Sequence, residues 1–149
     1  MKKGAKALVL YQGKFLFILR DNKPGIRNPN IWNLPGGAVE VGETYDEGLR
    51  RELLEEICVV PKQITYIGKK YFERMQATIA VYLVLLDDQE YPQVKLGNEG
   101  QDLQFFTPKE VLELPLADTE EYFTSIYPAL VRVASGEMNF RPEEFQVEA

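Results

Sequence analysis

Residues 5–11 and 14–20 are apolar runs rich in β-forming side chains, and the Gln12-Gly13 pair between them suits a tight hairpin turn. They predict two antiparallel strands. Residues 21–30, DNKPGIRNPN, are dense in turn formers and predict a loop leading to Ile31-Trp32-Asn33-Leu34 and the Gly36-Gly37 turn. Thr44, with Glu47 three residues on, forms a capping box, so the spacing predicts a helix over Tyr45–Ile57. Along that helix Glu52, Glu55 and Glu56 fall within an arc of roughly 100°, while Leu49, Leu53, Leu54 and Ile57 make a core-facing side. Pro61 blocks continuation, and residues 64–73 and 77–86 predict two more strands. The second is almost continuously apolar and is expected at the centre of a sheet.

Residues 87–102 are polar without periodicity, and a connection of that length inside a compact domain is functional or mobile. A short strand is expected at 103–106. Thr107-Pro108-Lys109-Glu110 has the cap, N1 proline and acidic third position of a helix start. Asp118 with Glu121 offers a cap for a further helix carrying Phe123, Ile126, Tyr127, Leu130 and Val133 on one apolar stripe. Pro128 is expected to kink or split it, Gly136 to stop it, and the acidic tail 137–149 to be only partly ordered. Strands interspersed with a few helices predict an α/β or α+β sandwich, a mixed sheet covered by helices.

Composition narrows the chemistry. With 149 residues and 45% hydrophobic content the expectation is one domain over residues 1–149. No apolar run approaches the roughly 18 residues of a membrane span, and the opening MKKGAKALVLYQGKF breaks before a signal-peptide core forms, so a cytoplasmic protein is expected. The single cysteine, Cys58, forms no internal disulfide, and the lack of histidine excludes His-dependent triads, zinc sites and general bases. Acid–base work falls to carboxylates, Lys, Tyr or water. A net charge of −6 argues against binding nucleic acid polymers or anionic membranes, but a bound divalent cation reverses local charge, so an anionic small ligand stays open.

Three carboxylates on one helical face repel one another unless a cation sits among them. Mg²⁺ is the natural candidate, a hard ion that prefers oxygen ligands. Backbone carbonyls around Gly37 can add a ligand, and the glycines let the backbone approach the helix. From the acidic residues alone, a solvated surface helix is favoured over a metal site.

The spacing is more specific. Gly37, five residues, Glu43, seven residues, then Arg51-Glu52-Leu53-Leu54-Glu55-Glu56-Ile57-Cys58-Val59 closely resembles the signature of the Nudix hydrolases, with Cys58 in place of its glycine. Trp32-Asn33-Leu34-Pro35-Gly36 resembles the same family's lead-in. The resemblance implies an α/β fold, the Nudix-type α/β/α sandwich with a mixed β-sheet. It also implies hydrolysis of a nucleoside diphosphate-linked substrate by water attacking phosphorus, with Mg²⁺, or Mn²⁺ in its place. Carried over residue by residue, Gly37, Glu52, Glu55 and Glu56 match the metal-binding positions. Glu43 matches a glutamate supporting the metal site, and Arg51 an arginine that orients a catalytic carboxylate. Glu55, Glu56 and Arg51 are thus the catalytic candidates within the box. The family's usual glycine at position 58 suits a helix end with positive φ, so Cys58 implies either a different ending or tolerated strain.

Beyond the box, Glu99 resembles the MutT-type loop glutamate that binds metal or activates water, with Asp102 as its substitute candidate. Arg20 resembles an arginine that touches substrate phosphates. Arg27, Lys69, Lys70 and Arg74 are further cations, and Trp32, Tyr71, Phe72, Tyr82 and Phe105 are the aromatic surface for a base. The markers of ADP-ribose, dinucleoside polyphosphate and NADH enzymes are missing, which favours a (deoxy)nucleoside triphosphate cleaved to monophosphate and pyrophosphate. A nucleotide-sugar hydrolase and a non-catalytic nucleotide-sensing module are the alternatives, and an acidic structural domain is the rival outside the family. The expected partner is a nucleotide or nucleoside diphosphate derivative, with the chain a monomer or homodimer.

Overall fold

The alternation of side chains along the two most apolar strands separates the layers. The computed structural model describes residues 2–26, 29–116 and 119–149. Its strands are β1 (Lys2–Tyr11), β2 (Lys14–Leu19), β3 (Trp32–Asn33), β4 (Gly36–Ala38), β5 (Gln63–Phe72), β6 (Ala77–Leu85) and β7 (Asp102–Phe106). Its α-helices are α1 (Tyr45–Ile57), α2 (Pro108–Val111) and α3 (Glu120–Ala134). Ala5, Ala7 and Val9 of β1 and Ala80, Tyr82 and Val84 of β6 pack with Leu49, Leu53 and Ile57 of α1. The intervening Leu8, Leu10, Ile79, Val81 and Leu83 pack with Phe123, Ile126, Leu130 and Val133 of α3. Strands buried on both faces read as continuous apolar runs, and the result is an α/β/α sandwich.

The sheet is mixed: β1 and β6 are parallel, while β5 is antiparallel to β6. The near-continuously apolar strand β6 sits inside the sheet, between β1 and β5. β1 and β2 pair only beside their turn, at Leu10↔Phe15 and Tyr11↔Lys14. They then diverge, and β4 takes the vacated edge of β1 at Gly4↔Ala38, Ala5↔Gly37 and Lys6↔Gly36, while β2 pairs with β3 and β7. This divergence brings the glycine turn against the sheet. Among the described residues no helix is long and apolar enough to cross a membrane.

Three expectations change. Leu54 is 58% exposed: it lies roughly 100° of helical arc beyond Leu53, outside the stripe that meets the sheet. α3 is continuous through Pro128. That ring is on the exposed side, where the bond it forfeits faces water, and the apolar stripe opposite holds the helix together. The tail is ordered: Phe145 and Val147 are buried, Tyr122 donates to the Phe145 carbonyl at 2.9 Å, and Lys69 and Glu148 exchange both backbone bonds at the edge of β5. Arg132 also pairs with Glu144 and, at 3.0 Å, with Glu137. The expected cap Asp118 lies outside the described residues, and the N-cap of α3 is Thr119.

Candidate active site

α1 begins as its capping box requires, with Glu47 N–H donating to Thr44 Oγ1 at 3.0 Å and Thr44 N–H to Glu47 Oε1 at 2.9 Å. Its other end is less ordinary. Cys58 caps it in the left-handed region, φ 65° and ψ 19°, so the helix ends as a glycine would end it and the strain is tolerated. The last carbonyls are satisfied from a distance in sequence. Lys95, Gly97 and Asn98 N–H groups donate to the carbonyls of Ile57, Glu56 and Glu55 at 3.2, 2.9 and 3.3 Å. These are the orphan acceptors of a helix terminus. The polar segment 87–102 therefore braces α1, and a Cβ at Gly97 would overlap the Glu55 carbonyl oxygen.

The same segment delivers Glu99 close enough for its charge to act on Glu56. Asp102 is placed otherwise. It lies in β7 opposite Leu19, and its carboxylate accepts from Leu103 N–H at 2.8 Å and Gln104 Nε2 at 2.6 Å. Of the two candidates, Glu99 is the one whose charge acts on Glu56.

Arg51 organises the acidic face. Its Nε and Nη2 donate to the two oxygens of Glu43 at 2.8 and 3.1 Å, its Nη1 to Glu52 Oε1 at 3.1 Å, and its Nη2 also to the Ala38 carbonyl at 3.0 Å. Glu55 Oε2 lies 3.5 Å from Nη1 on the exposed side. The hydrogen bond from Arg51, then the backbone bond from Glu40, hold Glu43 below the usual carboxylate range; the bond to Glu43 in turn raises Arg51.

Glu56 lies deeper. It accepts the Gly36 N–H at 2.7 Å, and burial pushes its pKa up to about 7. Lys6 and the Gly36 bond oppose that rise, while the charges of Glu52 and Glu99 add to it. A positive charge beside such a carboxyl favours its ionised form. The donor chemistry suits Mg²⁺: carboxylate oxygens of Glu52, Glu55, Glu56 and Glu99, with a carbonyl available at Gly37. The bare backbone at Gly37 matters here, because a Cβ there would lie 3.0 Å from the Glu52 carboxylate carbon. As they stand, the side chains of the described residues do not converge on one ion position; Glu52 is turned to Arg51 and Glu56 to Gly36.

Beside this wall a cavity of about 280 Å³ opens on the α3 face, lined by Lys6, Arg20, Leu34, Gly37, Phe72 and Tyr122 among others. Of the expected cations, Arg20 is there. Lys69 instead sits over the Tyr45 ring and Lys70 over the Phe72 ring, at 5.3 and 5.7 Å. Lys70 and Arg74 line a second cleft with Glu120 and Glu121, and Arg27 lies outside the described residues. Of the aromatic candidates only Phe72 lines the cavity. Trp32 packs edge-on to Phe106, Tyr82 is buried beneath α1, Phe105 meets Tyr91, and Tyr71 is exposed. Sequence reasoning missed Lys6, whose signal was a lysine interrupting an apolar strand, and Tyr122, which looked like one more residue of α3.

An acidic helix braced against a glycine turn, on a mixed sheet between helical layers, defines the class: the chain belongs to the NUDIX domain family, whose model matches residues 1–127. The family generally uses divalent metal ions. Among its relatives is the ADP-ribose pyrophosphatase of Methanocaldococcus jannaschii, 32% identical over 94 residues, or 62% of this chain and 54% of that protein. The RNA pyrophosphohydrolase of Sulfurovum sp. is 34% identical over 106 residues, 65% and 64% of the two chains. Nucleoside triphosphatase NudI of Escherichia coli is 29% identical over 119 residues, 73% and 84%. The chain thus spans about half the length of the first and under two thirds of the second. In fold it is similar to MutT from work on Aliivibrio salmonicida and Vibrio cholerae, at TM-score 0.68 and 19% identity over 89% of this chain and 98% of that one. MutT of Methanosarcina mazei gives 0.64 and 24% over 89% and 94%.

Proposed function

We propose that this chain is a divalent-metal-dependent pyrophosphohydrolase acting, as one catalytic domain in the cytoplasm, on nucleoside diphosphate derivatives. The foremost substrate is a (deoxy)nucleoside triphosphate, cleaved to the monophosphate and pyrophosphate. The observation that carries this reading is the juxtaposition of the half-buried Glu56 carboxyl with a cavity that holds both cations, Lys6 and Arg20, and apolar wall. Phosphates need the first kind of surface and a base the second.

Glu52, Glu55, Glu56 and Glu99 would hold Mg²⁺, which when bound neutralises phosphate oxygens and acidifies the attacking water. The chain's own residues do the rest. Arg51 and Glu43 form the brace that fixes the Glu52 carboxylate, the Gly36 N–H fixes Glu56, and Arg20 faces the phosphates. Glu55 and Glu99, both exposed, are placed to take a proton from water.

The test is a panel of nucleoside triphosphates, nucleotide-sugars and ADP-ribose with Mg²⁺ or Mn²⁺, with products identified. Monophosphate and pyrophosphate from a triphosphate are expected. The likeness to an ADP-ribose pyrophosphatase favours a second reading, a sugar-linked nucleoside diphosphate, which would release two monophosphates instead. Tight binding without release of either product would make the chain a sensor and overturn both.

A further inference from the structure

Lys6 interrupts the apolar run of β1 between Ala5 and Ala7, both wholly buried. Its side chain is half-buried and lines the cavity that also takes Arg20. An ammonium carries three N–H donors. The Leu34 and Gly36 carbonyls accept two, each at 3.2 Å. Among the described residues no carboxylate forms an ion pair with it. Burial holds Lys6 below the usual lysine range against the pull of Glu56 and Glu52. A desolvated cation is costly without an anionic partner, and this one is held in place by two neutral acceptors.

Resting on the phosphoanhydride reading above, we propose that Lys6 is a substrate-binding residue whose third N–H contacts a phosphate oxygen in this cavity, opposite the acidic wall. The two turn carbonyls aim the ammonium, and Arg20 supplies a second cation to the same anion. The pairing suits a ligand with adjacent phosphates, one for the two cations on the sheet and one for a metal on α1.

The test uses inorganic pyrophosphate as probe, titrated calorimetrically into the full chain with Mg²⁺ present, for the wild type, K6M and K6R, with Mg²⁺ alone as the control titration. K6M is expected to weaken pyrophosphate binding by roughly tenfold or more, the size of one lost charge-assisted hydrogen bond. K6R should stay within about threefold, and Mg²⁺ affinity should be no weaker than in the wild type in both, since Lys6 carries a like charge beside Glu56 and Glu52. Should K6M fail to fold, K6Q, which keeps a donor for the carbonyls without the charge, takes its place. Equal pyrophosphate affinity in wild type and K6M, or no binding by the wild type, overturns the assignment. So does a matching loss of Mg²⁺ affinity, which would make Lys6 a support of the turn alone. Because binding is read without turnover, a chain that binds pyrophosphate through Lys6 yet hydrolyses no nucleotide would overturn the hydrolase reading and leave this one standing.

Discussion

Arg51 grips Glu43 with both prongs of its guanidinium, Nε to Oε2 at 2.8 Å and Nη2 to Oε1 at 3.1 Å, and the third nitrogen reaches Glu52 at 3.1 Å. A planar fork can hold two carboxylates in register, whereas a lysine is a point charge that cannot. R51K should therefore leave the fold intact and lower kcat by roughly a hundredfold through misplacement of Glu52. Steady-state kinetics alongside thermal unfolding separates the two effects, and an unchanged kcat would remove Arg51 from the site.

Glu56 links stability to pH. Its pKa is raised to about 7, burial being the main cause, so the folded chain holds this proton more tightly than the unfolded one. The stability it contributes is complete below about pH 4.5, the ordinary glutamate value, and is lost as pH rises through about 7. In metal-free buffer Tm should fall across that window in the wild type and fall less in E56Q. Mg²⁺ should recover the loss at the alkaline end. E56Q should also abolish turnover, a drop of about a thousandfold or more.

Cys58 occupies left-handed backbone at φ 65°, which costs a residue with a Cβ about 1 kcal/mol or more. C58G should stabilise the chain by roughly 0.5 kcal/mol after glycine's greater freedom in the unfolded state is set against it. C58V, β-branched, should destabilise by more than about 1 kcal/mol. Urea unfolding of the three proteins reads the order.

Gly97 is the point where the bracing segment touches α1. G97A forces the loop off the Glu55 carbonyl, frees three helix-end acceptors and moves Glu99. A loss of about 2 kcal/mol or more is expected, with lower turnover. Hydrogen exchange should quicken at the Lys95, Gly97 and Asn98 amides before it does elsewhere.

Phe145 is wholly buried and its carbonyl accepts from Tyr122. F145A should cost about 3–5 kcal/mol, measured by chemical denaturation. A loosely ordered tail would instead give a change close to zero.

Which features were legible follows from the range of the forces that make them. The capping box placed α1 at Tyr45–Ile57, its observed bounds, because the residues that start a helix are neighbours in sequence. The period-2 and period-3.6 patterns marked most strands, the central place of β6 and the core face of α1, because burial acts on every turn or pleat. The spacing from Gly37 to Val59 resembled a known signature over 23 residues, and that brought Glu52, Glu55 and Glu56 to attention without a structure.

The tertiary structure decided what depends on groups far apart in the chain. Nothing near Ile57 says that amides at 95–98 will satisfy the end of its helix, or that this bracing carries Glu99 to Glu56. Lys6 gains its meaning only when β1 and β2 diverge and β4 brings the Leu34 and Gly36 carbonyls over it. The split expected at Pro128 and the loose tail were misread for the same reason: local propensity argues against order there, and long-range burial of the α3 stripe, Phe145 and Val147 outweighs it. The sequence by itself determined the acidic helix and its likeness to a metal-phosphate site; folding decided which distant backbone braces it and which cations stand beside it, since desolvation and hydrogen bonding act through space.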